Sequence, residues 1–381
     1  MRINVIIGAF ASLPPAPAGA IEKVWAQLAA SFAASGHEVT ALCPAWEGLP
    51  AREEVDGVSY IRSSGFKRVG STWRELALDY RYSRAMRKLL PPSDVTVCNA
   101  FWMPVLLKNR KSRFGVIDLH LQRFPKRQMF LYKKIDRIST VSNAIADAVR
   151  SQTPAVGHLL DVIPNPVDLD VYHPPAEPSD RSHLEVFFHG RIHPEKGINV
   201  LIEATRIAHD RGCRFDVAIT GPHELDKGGG GDDYLRELKR LSEGLPVRFE
   251  APIYDQVKLA DRLRRCDIHC YPSLAFFGEA SPVAPVEAMA CGAVPVVSDL
   301  PQFEGYARHM ETALVFKREG PEAPARLADA LGTLVEDEAI RSRLRAAALD
   351  QARDLAVDII AARHLRSWER LIEQSGGTGR P

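Results

Sequence analysis

Short apolar runs alternate with helical patterns twice along this chain, and that alternation limits the folds open to it. Ile3 to Ile7, Val39 to Leu42, Val95 to Cys98, Gly115 to Leu119, Arg137 to Val141 and Val162 to Pro164 read as strands, with helices over Ala20 to Ser35 and Asn143 to Ser151. A proline-rich stretch at 165–184, NPVDLDVYHPPAEPSDRSHL, breaks the rhythm and reads as a connection between domains. The rhythm restarts with strands at Glu185 to His189, Phe215 to Thr220, Val247 to Phe249, Ile268 to Tyr271 and Ala293 to Val297. Helices are expected over Gly197 to Asp210, Asp232 to Glu243, Pro324 to Val335, Glu338 to Leu349 and Ile359 to Glu373. Continuous apolar strands separated by helices predict parallel sheets covered on both faces. The expected class is therefore α/β, with two Rossmann-like doubly wound domains facing across a cleft at the carboxyl ends of their strands. The boundaries are 1–168 for the first domain, 169–184 for the linker and 185–356 for the second domain. A terminal helix in 357–381, carrying Trp368, is expected to pack back on the first domain.

A length of 381 residues with 45% hydrophobic composition suffices for two cores. Six cysteines without a CxxC pair favour reduced thiols, hence a cytoplasmic protein. Cys266, His269 and Cys270 lie close in sequence, but without a fourth ligand they read as strand residues rather than a zinc site. MRINVIIGAF reads as a first strand, not a signal peptide, and no run approaches the roughly 20 apolar residues of a membrane span. Net charge is +1 overall, yet residues 1–170 carry 22 Lys+Arg against 15 Asp+Glu. Between Arg62 and Arg137 stand 18 basic and 5 acidic side chains, with Phe and Leu interleaved in RFPKRQMFLYKK at 123–134. Such a surface suits an anionic membrane face or a phosphate-bearing lipid acceptor, which would place the protein at the inner face of the cell membrane. A solvated basic face is the plain alternative, and no nucleic-acid motif accompanies the charge.

The segment GEASPVAPVEAMACGAVPVVSD, residues 278–299, concentrates the chemistry. Ser281 and Pro282 read as the N-cap and first position of a helix running through Glu287 to a stop at Cys291 and Gly292, with Pro285 widening the start by about one turn. Free N–H groups near 281–284 would face an anion. On helical rise Glu279 and Glu287 would stand roughly 12 Å apart, too far to flank one scissile bond as a glycosidase pair. They read as grips on two ends of an extended ligand; a dipole-satisfying first-turn acid and a solvated helix residue are the plain alternative.

In HGRIHPEKG, residues 189–197, Gly190 turns the chain out of a strand, and Arg191 and Lys196 form a forked and a point-like cation suited to a diphosphate; loop charges are the alternative. Gly19, before a helix, would let backbone approach a phosphate or sugar, or is a plain helix-start glycine. His120, after the strand VIDL, would hydrogen-bond a sugar hydroxyl or is structural. GGGG at 228–231 lacks the Lys-Ser/Thr of a phosphate loop and reads as a flexible loop.

Taken with GAIEKVWAQLAASFAASGHEVT at 19–40, ISTVSNAIADAVR at 138–150, VIPNPVDLDVYHP at 162–174 and the Glu-x7-Glu segment ending in EAMACGAVPVV, the chain resembles the retaining family 4 glycosyltransferases of GT-B fold over nearly its whole length. That resemblance implies that Arg191 and Lys196 bind the donor diphosphate, Glu279 the hydroxyls of the donor sugar and Glu287 the nucleotide ribose. It places the backbone of Ala280, Ser281, Pro282 and Val283 at the phosphates and sugar, Gly19 by the phosphates, His120 by the sugar carbon-6 side, and Pro252, Ile253 and Tyr254 near the base. The chain departs from the family pattern at Ala20, Pro166, Ala280 and Ser281, and the last two bear on the sugar pocket.

The expected reaction is transfer of a hexose from a UDP- or GDP-linked donor to a hydroxyl acceptor, lipid-linked among the candidates, in glycoconjugate or polysaccharide synthesis, with retention of configuration. No cofactor and no metal are expected, because two cations already face the diphosphate and no suitably placed Asp-x-Asp motif appears. Domain closure should bring Gly19 and His120 onto the donor. A nucleotide-sugar epimerase and a non-catalytic nucleotide-sugar-binding protein remain the alternatives, which fold alone does not separate.

Overall fold

The computed structural model describes residues 1–13, 19–67, 69–176 and 183–376, so parts of the loop before Gly19 and of the linker, as well as Arg68, lie outside the described residues. The chain divides into two compact units: residues 1–166 together with the segment from 357 onward, and residues 167–356.

In the first unit the strands are β1 (Arg2–Ile6), β2 (Glu38–Pro44), β3 (Arg52–Val55), β4 (Val58–Ser63), β5 (Val95–Cys98), β6 (Val116–Leu121), β7 (Arg137–Thr140) and β8 (Leu160–Val162). They form one sheet in the order β3-β4-β2-β1-β5-β6-β7-β8, parallel except for β3 against β4. The parallel strands are buried along nearly their whole length because helices cover both faces. Helix Ala20–Ala34 buries Val24, Trp25, Leu28, Ala29 and Phe32, a stripe at helical spacing. β8 starts two residues before the expected Val162, since Pro164 and Pro166 have no N–H for a ladder. The helix Val357–Gly376 belongs to this unit: Trp368 Nε1 donates to Asp118 Oδ2 on β6 at 2.8 Å, and Ser367 Oγ donates to Asp161 Oδ2 on β8 at 2.6 Å.

Residues 45–94 carried no strand or helix assignment from sequence, yet they hold the β3–β4 hairpin and the long helix Thr72–Leu89. The hairpin turns at Asp56 and Gly57, whose φ angles of 52° and 73° are those of a type I′ turn.

The second unit contains β9 (Glu185–His189), β10 (Asp216–Thr220), β11 (Val247–Glu250), β12 (Ile268–Tyr271), β13 (Val294–Ser298) and β14 (Leu314–Phe316). Its sheet is wholly parallel, in the order β11-β10-β9-β12-β13-β14. Strand order reverses between β9 and β12, and a crevice at the carboxyl ends of such a pair is where open α/β sheets take ligands. Residues 167–176 belong to this unit, with Val167 N donating to Leu355 O at 2.8 Å and Tyr172 buried.

Candidate active site

The loops leaving β9 and β10 press together so closely that only glycine fits. Gly190 and Gly221 both have φ of 150°, and a Cβ on Gly221 would lie 1.7 Å from Gly190 O. Beyond Arg191 the chain makes one 3-10 turn, Pro194–Lys196, and enters helix Ile198–Asp210 through Gly197. Gly197 has φ of +67°, and a Cβ there would stand 2.1 Å from Pro272 O at the end of β12. Lys196 is thereby pinned against the neighbouring strand's exit.

At that exit the chain places Ser273 and Glu279. Lys196 Nζ forms a short ion pair with Glu279 Oε1, with both residues buried, and Ser273 Oγ donates to the same oxygen at 2.7 Å. The Tyr271 ring lies 5.5 Å from Lys196 Nζ, and burial followed by the charge of Glu279 pushes its hydroxyl pKa well up. Arg191 Nη2 donates to Glu195 Oε1 and Nη1 to Gly228 O, each at 2.5 Å. Both expected cations are therefore matched by glutamates, Lys196 by Glu279 and Arg191 by Glu195. Of the two, only the Lys196–Glu279 pair is buried, and buried charges persist only when paired in this way.

The helix carrying Glu287 is Ala284–Ala290, starting two residues later than expected, and Ser281 is not its cap. Pro285 explains the shift: with no N–H it fits only the first turn, so the helix cannot begin at Pro282. Glu279 therefore sits on a loop, and the helical-rise estimate of its separation from Glu287 does not apply. The two acids are still distinct anchors, because their partners differ. Glu287 Oε2 meets His189 Nε2 at 3.0 Å, and the Glu287 carboxylate lies near the buried Tyr172, whose hydroxyl pKa burial and then that carboxylate push up, so it is no free surface acid.

Between them, Pro282 O accepts from Tyr306 Oη at 2.9 Å and Val283 O accepts from Glu287 N at 2.9 Å, which sets the backbone of Ala280–Val283. Pro252, Ile253 and Tyr254 follow β11, and Lys227 Nζ lies 5.4 Å over the exposed Tyr254 ring. The GGGG stretch, expected to be flexible, is tied down: Gly228 O takes Arg191 and Gly230 N donates to Ile192 O at 2.8 Å.

In the first unit, His120, one residue before the end of β6, lines a cavity of about 320 Å³ whose wall includes Gly8, Glu22, Asp79, Asn99, Arg123 and Lys126. Trp25 Nε1 donates to His120 Nδ1 at 3.1 Å; an indole only donates, so the proton of the neutral ring is on Nε2. Burial holds the His120 pKa down at about 4, which keeps that ring neutral. Gly19 is the N-cap of helix Ala20–Ala34, and the Glu22 carboxylate folds back over it, so that a Cβ on Gly19 would lie 2.7 Å from Glu22 Oε2. The expected residues thus fall in two groups: Gly190, Arg191, Lys196, Pro252–Tyr254 and 279–287 in the second unit, Gly19 and His120 in the first. Sequence reasoning missed Glu195, Ser273, Tyr172 and the role of His189. Only Glu195 carried a signal, as an acid between two cations.

The doubly wound sheets and the acid–cation pairs at a switch point define an α/β protein of two Rossmann-like units, and comparison with known proteins supplies the family. Residues 21–171 match the model "Glycosyltransferase Family 4" and residues 173–351 the model "Glycosyl transferases group 1". The chain belongs to these group 1, family 4 glycosyltransferases of GT-B fold. It is 31% identical over 231 residues to the phosphatidyl-myo-inositol mannosyltransferase of Mycobacterium tuberculosis, covering 59% of this chain but only 58% of that protein. The Mycolicibacterium smegmatis enzyme of the same name is 26% identical over 97% of this chain and 94% of its own length. The D-inositol 3-phosphate glycosyltransferase of an Arthrobacter species is 30% identical over 56% of this chain and 51% of its own. Among solved structures, a sucrose-phosphate synthase from Thermosynechococcus elongatus superposes with a TM-score of 0.77 at 18% identity, covering 98% of this chain and 99% of that one. HepE from Anabaena, in complex with UDP and glucose, gives 0.71 at 17% identity over 97% of this chain and 99% of its own.

Proposed function

We propose that this protein is a retaining, metal-independent glycosyltransferase that moves a hexose from a UDP- or GDP-linked donor to a hydroxyl of a phosphate-bearing polyol. The observation that carries the reading is the set of paired charges at the β9/β12 switch point, Lys196 with Glu279 and Arg191 with Glu195. A departing diphosphate gains negative charge in the transition state, and two fixed cations stabilise it without reorganisation. Glu279, fixed by Lys196 and Ser273, holds hydroxyls of the sugar, and Glu287 holds those of the ribose. A leaving-phosphate oxygen takes the acceptor's proton on the face it departs from, so configuration is retained without an enzyme nucleophile. The acceptor reading rests on the first unit's cavity, where the Glu22 and Asp79 carboxylates suit hydroxyls and Arg123 and Lys126 suit a phosphate. The inositol phosphates named in the relatives above fit that chemistry. The exposed basic residues around it favour work at an anionic membrane face, on the cytoplasmic side.

The test is turnover of Lys196→Met and Glu279→Gln with UDP- and GDP-hexoses, chosen by thermal shift because a ligand raises the melting point of the state it binds. Each variant should lose on the order of 10²–10³ in kcat. Near-normal turnover in both overturns the assignment. Loss of activity in EDTA that Mg²⁺ or Mn²⁺ restores overturns metal independence, and an inverted product anomer overturns retention.

A further inference from the structure

Two buried histidines lie behind Glu287 with no role in the reaction as described. His189 is the last residue of β9, and His269 is on the adjacent strand β12, in register with Phe187. His269 Nε2 lies 3.0 Å from His189 Nδ1, and His189 Nε2 lies 3.0 Å from Glu287 Oε2. The three side chains form one line running from the core out to the crevice.

We propose that His189, oriented by His269, is a positioning residue that fixes the Glu287 carboxylate to accept two hydroxyls of a vicinal diol on the nucleotide's ribose. The proposal rests on the nucleotide-sugar reading above and adds to it the residues that aim the anchor. A carboxylate only accepts, so His189 Nε2 carries a proton in either charge state. In neutral His189 the Nδ1 atom accepts, and His269 Nε2 must donate. His269 Nδ1 is then bare, and it is indeed a buried atom with no hydrogen-bond partner. Burial, and then the neighbouring His189, keep the pKa of His269 well below that of an ordinary histidine, so it serves as a neutral ring of fixed tautomer. An unpartnered buried polar atom costs about 1–3 kcal/mol, so packing alone does not favour histidine over an apolar ring at 269. What offsets the cost is the single orientation that Nε2 imposes on His189. A carboxylate has roughly four lone-pair directions. With His189 on one of them, enough remain for two adjacent hydroxyls, and the Glu287 side chain is 20% exposed, open enough to meet them.

The experiment is calorimetric titration of the full chain with UDP and GDP and with their 2′,3′-dideoxy counterparts, which lack the diol. Wild type should favour the ribose form by tenfold or more. His189→Phe and His189→Asn, whose amide is too short to reach, should weaken the ribose nucleotide about tenfold while leaving the dideoxy form nearly unchanged. His269→Phe should move in the same direction by a smaller factor. His189→Gln, whose amide N–H reaches Glu287, should restore much of the loss. A merely structural role would weaken both nucleotides alike, and that outcome, or no change in either, overturns the proposal. Failure of wild type to bind either UDP or GDP overturns the donor reading on which the proposal rests, and the proposal with it.

Discussion

At the scale of single residues, the candidate site is made by pairing, with charges far apart in sequence brought together by neighbouring strands. Arg191, Lys196, Glu279 and Glu287 stand out by charge in glycine-rich or apolar surroundings, but Lys196 and Glu279 are 83 positions apart and meet only because β9 and β12 are neighbours. Tyr172 gave no signal, since its contact with Glu287 depends on how residues 167–176 return to the second sheet. The pairing has an energetic consequence. Lys196→Met leaves the buried Glu279 with hydroxyl donors alone, which should destabilise the second unit by about 3–5 kcal/mol. Lys196→Met/Glu279→Gln should recover part of that, because the stranded charge is gone. Urea unfolding of the three proteins checks the order, and a double variant as unstable as the sum of the two singles counts against the pair. His120 carries a second prediction at this scale. Its folded pKa is depressed to about 4 from an unfolded value near 6.5, so above roughly pH 6.5 it imposes no cost on the fold. As pH falls from there towards 4 the unfolded chain takes up the proton first, and stability should drop by up to about 1.4 kcal/mol per pH unit for this group. His269 and His364 shift in the same direction and add to the slope. His120→Gln should remove one proton's share of it between pH 6.5 and 4, and an unaltered slope would show that His120 is not held neutral.

At the scale of elements, the buried parallel strands were legible because a strand covered on both faces reads as an unbroken apolar run. The elements that escaped detection lack that signature. β3 is REEV at a sheet edge, with one side open to water, and helix Thr72–Leu89 exposes Trp73, Arg74, Tyr80, Arg81, Arg84 and Lys88, so its apolar stripe is thin. The Asp56-Gly57 turn between Val55 and Val58 was a usable hairpin signal that apolar periodicity alone does not weigh. Helix Ala284–Ala290 starts within the turn that Ser281, Pro282 and Pro285 allowed, with Val283 rather than Ser281 at its cap. The turn from β9 into helix Ile198–Asp210 gives the test at this scale. Gly197→Ala must tolerate a left-handed φ and also move Pro272 O, so it should destabilise the protein by at least about 1–3 kcal/mol and displace Lys196 from Glu279. Gly212, also at positive φ but with nothing within 4 Å, is the control: its alanine variant carries the backbone strain without the collision. Equal melting points for the two variants would mean that contact with β12 does not hold the turn.

At the scale of the whole molecule, a near-neutral total hides a dipolar chain: residues 1–170 carry 22 basic against 15 acidic side chains within an overall charge of +1. The sequence placed the basic excess in 62–137, and the structure shows what accompanies it on the surface. In 123–134 Phe130 is 57% exposed between Arg127 and Lys133, and helix Thr72–Leu89 presents Trp73, 83% exposed, on the same helix as exposed Arg81, Arg84 and Lys88. No helix among the described residues is long and apolar enough to cross a membrane, so attachment through these helices would have to be interfacial. Exposed aromatics interleaved with cations are the pattern of surfaces that lie in the headgroup region, each Lys or Arg contributing about 1 kcal/mol near an anionic leaflet. The full chain should therefore co-sediment with vesicles containing anionic phospholipid at low salt and be released as salt shortens the Debye length from about 30 Å at 0.01 M to about 8 Å at 0.15 M. Lys133→Glu/Lys134→Glu should lower recovery on anionic vesicles and leave it unchanged on neutral ones. Trp73→Ala should lower recovery on both, because it removes apolar insertion rather than charge. If wild type is recovered equally with neutral and anionic vesicles at low salt, the basic face is simply solvated, and the proposed acceptor for the cavity lined by Arg123 and Lys126 is a soluble one.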